Sequence, residues 1–296
     1  MAKLKVHIWT LPRWFAAPFF GGSAVLGALL AGGMNANSWL GLAATLLVMA
    51  GGHSFNSFLD YSWTGLDRGD EISRSAEKSY AGGQSLIARG IISPKEVALN
   101  ASLWYLAALV PLIYLTLKVG WGALVIGILG MTVTFFYARA KFNWTHEAVL
   151  GAATGPLSVL AGMFATSPSP PWVTGLAASV PLAILPSFAG LALDEWPDAE
   201  ANLKKGVKSI AYKVWENGVS LEWYLSSWFL FMYLYQLFLI STGILAQLSA
   251  ITFFTWPFFL AGMVMLKRDF KKWAGIMVII ALTYPVLLVV GHYLGD

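Results

Sequence analysis

The sequence predicts an all-α integral membrane protein with nine transmembrane helices, and three observations carry that prediction. The first is composition: of 296 residues 57% are hydrophobic and only 11% charged, with a mean hydropathy of +0.66. A soluble domain carries about a quarter charged residues. The second is the length of the apolar runs, nine of which reach the roughly 20 residues needed to cross a bilayer. The third is the placement of the basic residues, which fall almost entirely in alternate loops.

In chain order the spans are predicted at residues 12–32, 38–59, 97–117, 120–138, 146–166, 172–193, 221–243, 246–266 and 273–293. The first contains the run from Phe15 to Ala31, which reads as a retained helix rather than a cleaved signal, because nothing after it resembles a secreted soluble domain. The gaps after the second and sixth spans are the longest, and each holds a charged, turn-rich segment. The other connections are short, as in MNANS and TSPSPPW. No low-complexity tract or inserted soluble domain interrupts the pattern, so residues 1–296 read as one transmembrane domain. The absence of cysteine excludes disulfides and thiolate metal sites. The small net charge of +4, in so apolar a chain, argues against a nucleic-acid binder.

Cytoplasmic loops are enriched in Lys and Arg. Lys3, Lys5 and Arg13 precede the first span, and Arg68, Arg74, Lys78, Arg89 and Lys95 follow the second. Arg139 and Lys141 follow the fourth, Lys204, Lys205, Lys208 and Lys213 the sixth, and Lys267, Arg268, Lys271 and Lys272 the eighth. With a cytoplasmic N-terminus and nine alternating spans, 18 of the 19 basic residues share one side, Lys118 being the exception. The C-terminus is then expected outside, and any chemistry in the charged gaps on the cytoplasmic side.

The gaps after the second and sixth spans hold most of the chain's acids. NSFLDYSWTGLDRGDE, residues 56–71, places Asp60, Asp67, Asp70 and Glu71 at and beyond the end of the second span. LDEWPDAEANLKKG, residues 193–206, places Asp194 and Asp198 at the end of the sixth. Asn56 and Asp60, like Asp194 and Asp198, are four residues apart, a spacing that shares a helix face, although Pro197 is expected to end or distort its helix. Two such clusters on one side of the membrane suit a hard divalent cation, and magnesium favours a few carboxylates together with substrate phosphates. The basic residues that follow each cluster fit a metal-bound polyanion such as a diphosphate better than a bare cation. Solvated loops with internally paired charges are the alternative for either cluster taken alone.

The two segments resemble the aspartate-rich motifs of the UbiA-type membrane prenyltransferases: Asn56-Ser-Phe-Leu-Asp60 with Asp67, and Asp194-Glu-Trp-Pro-Asp198. GGQSLIARGIISPKEV (82–97), EANLKKGVKSIAYKV (200–214) and Tyr137 with Lys141 in FFYARAKF are similar to family segments at matching places. NSFLDYSWTGLDRGD and THEAVLGAATGPLSVLAG look most like the 1,4-dihydroxy-2-naphthoate branch, which makes menaquinone precursors, with departures at Ser57, Val207 and the Asp60-to-Asp67 spacing.

The resemblance implies a helical bundle around a central cavity open to the cytoplasm and laterally to lipid. It implies Mg²⁺-dependent transfer of an isoprenyl chain, through an allylic cation, from an isoprenyl diphosphate to an aromatic or other lipophilic acceptor. Asn56, Asp60, Asp67, Asp194 and Asp198 would hold two magnesium ions, the four aspartates being the catalytic set. Arg74, Lys78, Tyr137, Lys141, Lys204 and Lys208, with Asn56, would bind the diphosphate. His146 and Glu147 read by default as a surface pair beside the fifth span, His53 as a packed or hydrogen-bonded histidine, and His292 as interfacial. An ion-coupled transporter is the rival reading, but its acids belong near the membrane midplane, whereas both clusters lie at one end of their spans.

Overall fold

The structure is a computed structural model that describes residues 2–66, 68, 84–88, 90–196, 199–266 and 270–296, without the side chains of 2, 84–85, 193–194, 201 and 270–274. Of the expected site residues, Asp67, Arg74, Lys78 and Asp198 lie outside the described residues, as does the side chain of Asp194. Among the described residues there is helix and no strand, and nine helices are long and apolar enough to cross a membrane.

The first is Lys3–Leu30, whose regular α-helical part is α1 (Ala17–Leu30), and the others are α2 (Ala36–Ser62), α3 (Pro94–Lys118), α4 (Trp121–Ala140), α5 (His146–Thr166), α6 (Trp172–Gly190), α7 (Leu221–Ser241), α8 (Gln247–Leu266) and α9 (Gly275–Gly295). Chain-order neighbours pack on one another and the ring closes where α9 meets α1. The first span departs most from expectation. A short N-terminal helix stops at Leu11, Arg13 takes the left-handed conformation (φ 53°), and the regular helix starts only at Ala17.

Caps fix where two spans begin. Asn35 accepts a hydrogen bond from the Ser38 amide (3.0 Å) while Ser38 Oγ accepts from the Asn35 amide (3.1 Å), opening α2. Ser93 and Glu96 repeat the arrangement at α3, with Pro94 at the first helical position. Outward-facing Leu99, Leu103, Leu106, Val110, Ile113 and Leu117 form one exposed apolar stripe of α3, a surface that belongs against lipid rather than water.

Two of the later spans are interrupted by π turns. α5 widens into a π turn at Ala153–Leu157 around Pro156, and α6 does so at Leu185–Gly190 around Pro186. Proline has no N–H to return to the preceding turn, so the ladder is interrupted there, and such wide turns gather at functional sites. Thr154 and Leu157 from one turn, and Pro186 and Gly190 from the other, line the central cavity. Further along α5, Gly162 meets Ala24 of α1, and Gly27 of α1 meets Val159. A Cβ on either glycine would overlap the partner's backbone. Small residues allow this close crossing of helices in lipid.

Toward the ends of the spans away from the acids, a chain of buried polar side chains is bonded within the bundle. Tyr284 OH donates to Gln236 Oε1 (2.7 Å), and Gln236 Nε2 donates to the Ser249 carbonyl (2.8 Å) and Thr252 Oγ1 (2.6 Å). This holds the tight 3₁₀ opening of α8, Gln247–Thr255, against α7 and α9. His292, expected at the interface, is instead buried (5% exposed) and accepts from the Ala246 amide at 3.1 Å.

Candidate active site

The last turn of α2 presents Asn56 and Asp60 inward, both buried at 6% and 1% exposure. Asn56 Nδ2 donates to Asp60 Oδ2 at 2.8 Å, and Lys141 Nζ, from the end of α4, donates to the same oxygen at 2.6 Å. Lys141 is itself buried, and its ammonium lies 5.0 Å from the centre of the Tyr137 ring one turn earlier. A charge buried this far needs a partner, since removing one member of such a pair costs about 3–5 kcal/mol. Asn56 Oδ1 is buried with no hydrogen-bond partner, a neutral oxygen left for something else.

The second acidic segment reaches the same end of the bundle. Past its π turn α6 continues as Leu191–Glu195, which carries Asp194 and turns Glu195 toward the cavity. His146 bridges two buried carboxylates, with Nε2 at 3.3 Å from Glu195 and Nδ1 at 3.3 Å from Glu147. Glu147 Oε1 accepts from Ser209 Oγ (2.7 Å) and from the Ile210 amide (2.6 Å), so it caps the short helix Ile210–Glu216 from another part of the chain. The expected surface pair of His146 and Glu147 is therefore fully internal, at 0% and 1% exposure. The pair is internal because the segment after the second acidic motif folds back over the start of α5 and supplies the donors that Glu147 needs.

That segment also ties the two motifs together. Lys205 Nζ donates to the Leu66 carbonyl (2.6 Å) and the Lys208 amide to the Lys141 carbonyl (2.7 Å). Tyr212 OH donates to the Glu195 carbonyl (2.9 Å). Leu66, Ala199, Val207 and Tyr212 form a buried cluster against which Trp196 packs. Leu66 immediately precedes Asp67, while Trp196 and Ala199 flank residues 197–198, so the chain on both sides is drawn to one place. Val207, a departure from the resembled pattern, is a packing residue in this cluster.

A cavity of about 470 Å³ opens from this end into the bundle, within the usual range of small-molecule sites. Asn56, Asp60, Tyr137 and Lys141 line it, whereas Lys204 and Lys208 are exposed and do not. Four further lining residues with ionisable or amide side chains are not marked as site groups by the sequence: Arg13, His53, Glu195 and Asn202. In the sequence Arg13 serves only as a topology marker. Two of its guanidinium nitrogens, Nε and one Nη, are buried without a hydrogen-bond partner, as is His53 Nε2. The left-handed backbone of Arg13 is a strain that tends to persist at functional positions. Among the described residues no three His, Asp or Glu side chains form a ready metal cluster.

The model of the UbiA prenyltransferase family matches residues 20–274. The chain belongs to that family. UbiA-family proteins are membrane prenyltransferases, so the chain is an enzyme of isoprenyl transfer rather than a transporter. Solved structures agree in fold. An apo UbiA homolog from Aeropyrum pernix K1 superposes with a TM-score of 0.68 at 16% identity, covering 94% of this chain and 97% of that one. A digeranylgeranylglyceryl phosphate synthase gives 0.61 at 18% identity over 99% of both chains. A UbiA homolog from Archaeoglobus fulgidus bound to DMAPP and Mg²⁺ gives 0.54 at 13% identity, covering 95% and 98%. No curated protein matches the chain.

Proposed function

We propose that this UbiA-family protein transfers an isoprenyl chain from its diphosphate to an aromatic quinone precursor, such as 1,4-dihydroxy-2-naphthoate, in a Mg²⁺-dependent reaction. The observation that carries this is the Asn56–Asp60–Lys141 cluster at the mouth of a mainly apolar cavity, where a charged head and a hydrocarbon tail are accommodated together. The Archaeoglobus fulgidus homologs bound to DMAPP or GPP with Mg²⁺ support the donor and the ion.

The donor set fits magnesium: oxygen ligands only, with the unpartnered Oδ1 of Asn56 beside Asp60. Asn56, Asp60, Asp67, Asp194 and Asp198 would hold two ions, and bound magnesium supplies charge neutralisation to the diphosphate oxygens as the C–O bond breaks. Lys141 presents its ammonium to the departing diphosphate, a charge-assisted contact, and Tyr137 stacks beneath it. Arg74, Lys78, Lys204 and Lys208 would supply further positive charge to the anion. The apolar walls keep water from the allylic cation, which would otherwise be quenched to the alcohol. Arg13, beside His53, suits an acceptor that carries a carboxylate or phosphate. The site end faces the cytoplasm, consistent with the basic loops, and residues 1–296 act as one domain.

The deciding experiment incubates the purified protein with isoprenyl diphosphates and dihydroxynaphthoate, 4-hydroxybenzoate, homogentisate or a glyceryl phosphate lipid, with Mg²⁺ or EDTA. Mass spectrometry of the products reads the result. A prenylated naphthoate formed only with Mg²⁺ establishes the reading. Prenylation of another acceptor replaces the naphthoate, and turnover in EDTA removes the magnesium.

A further inference from the structure

Two histidines lie at the candidate site, and they differ in what holds them. His146 sits between two carboxylates, Glu147 and Glu195, at 3.3 Å from each, and does not line the cavity. His53 does line it. Among the described residues no carboxylate pairs with its ring, and its Nε2 is buried without a hydrogen-bond partner. The roles of Asp60 and Lys141 leave this nitrogen without a task. An unsatisfied buried polar atom costs about 1–3 kcal/mol, a cost that the hydroxyl of a bound molecule would remove.

The position of His53 is set by α2. It precedes Asn56 by three residues, which places it about 4.5 Å deeper on the same helix, one turn below the proposed diphosphate head group. Phe20 of α1 meets the imidazole edge to face, with ring centres 6.0 Å apart and planes at 85°, and so limits its rotation. The Arg13 guanidinium lies near enough to act on the ring through its charge.

The other titratable groups of the cavity lining are Arg13 before α1, Asp60 on α2 itself, Tyr137 and Lys141 on α4, and Glu195 beyond α6. Asp60 and Lys141 hold each other at 2.6 Å, and Glu195 holds His146. Tyr105 of α3 stands beside Gly52 with its OH on Thr134 Oγ1 (3.3 Å). The lining residues of α5 and α9 are uncharged. His53 is thus the cavity group that offers a neutral nitrogen lone pair. An ordinary imidazole is mostly uncharged above about pH 6.5, and with its proton on Nδ1 it accepts at Nε2.

We infer that His53 is the proton acceptor of the transfer, its Nε2 taking the proton from the acceptor's hydroxyl as the acceptor attacks C1 of the isoprenyl chain. The inference rests on the proposed transfer and adds to it the base that the metal and Lys141 do not supply. The acceptor's O–H bond breaks and its proton goes to Nε2. The released electron pair drives bond formation to C1, from a ring carbon of a phenol or from the oxygen of an alcohol. The C1–O bond breaks and its pair leaves with the diphosphate, which can carry the proton out. A phenol regains its O–H as the attacked ring carbon loses its own proton.

The test follows product formation by the purified protein, with Mg²⁺ and an acceptor that reacts, from about pH 5 to 9 across the range in which imidazole titrates. The parent should lose rate at the acid end. His53→Gln should lower kcat by about 100-fold or more, the worth of a positioned base, and should lose that acid limb, whereas Glu195→Gln should keep it. Added imidazole should restore part of the rate to His53→Ala and nothing to the parent. Both His53 variants should bind the isoprenyl diphosphate with Mg²⁺ as the parent does, which also reports that they are folded. A His53→Gln rate and pH profile equal to the parent's overturn the inference and leave the proposed transfer standing. So does a loss of rate that spares the acid limb and ignores imidazole, or a loss of diphosphate binding in both His53 variants. A parent that makes no product with any acceptor removes the proposed transfer itself, and this inference with it.

Discussion

Lys141 Nζ lies 2.6 Å from Oδ2 of Asp60, 81 positions earlier in the chain, and both side chains are shielded from solvent. The pair locks the end of α4 to the end of α2 and poises a cation at the cavity mouth. Its structural and chemical parts can be separated. Asp60→Asn should leave a folded protein without Mg²⁺-dependent turnover. Lys141→Met should lower stability by about 3–5 kcal/mol by removing the ammonium that offsets a buried carboxylate's charge. The double variant should regain part of that stability and none of the activity, a coupling that denaturation and turnover of all four proteins would read out. Recovery of activity in the double variant would contradict a chemical role for either residue.

Asp194→Asn and Asp198→Asn remove charge from the second motif without altering shape. Each should cut kcat by about 100-fold or more, as loss of groups that stabilise developing charge does elsewhere, and raise the Mg²⁺ concentration for half-maximal rate. A rate and Mg²⁺ dependence equal to the parent's in both would remove these residues from the metal site.

Glu147 is a positioning residue. Its Oε1 holds Ser209 and the Ile210 amide, and the segment so anchored reaches Lys141 through the Lys208 amide. Glu147→Ala strands these donors at a cost of about 1–3 kcal/mol and should lower kcat more than it raises KM. Glu147→Gln keeps a carbonyl acceptor and should restore most of both. Equal rates for the parent and Glu147→Ala would refute the positioning role.

Arg13 should read the acceptor. Arg13→Gln should raise KM for a carboxylate- or phosphate-bearing acceptor by about 10- to 100-fold, the worth of one or two charge-assisted hydrogen bonds, with a much smaller change in KM for the diphosphate. An unaltered acceptor KM, or a loss confined to the diphosphate, would place Arg13 elsewhere in the reaction.

Topology follows from the basic loops. A reporter joined after Asp296 should read outside the cell, and one at the N-terminus inside. A cytoplasmic readout at Asp296 would break the nine-span alternation.

The sequence by itself determined the number of spans and the ends at which they carry charge. A bilayer demands about 20 apolar residues per crossing, and that demand is local, so 38–59 and 146–166 were legible to within a few residues of α2 and α5. The acidic motifs were legible for the same reason, standing out against apolar surroundings. Which side chains meet was a different matter. In lipid a helix is apolar on nearly every face, so periodicity does not reveal the inward one. Lys141, Lys204 and Lys208 were all candidate cations in the sequence, with Lys141 first only by its match to the family's Tyr-x-x-x-Lys, and packing buries Lys141 alone among them, against Asp60. Likewise His146, Glu147 and Glu195 meet only because the Ser209 segment folds back over α5. Arg13 became a cavity group through a left-handed turn that its neighbours in sequence do not announce. Contacts across such distances are set by how the spans pack, and only the tertiary structure decided them.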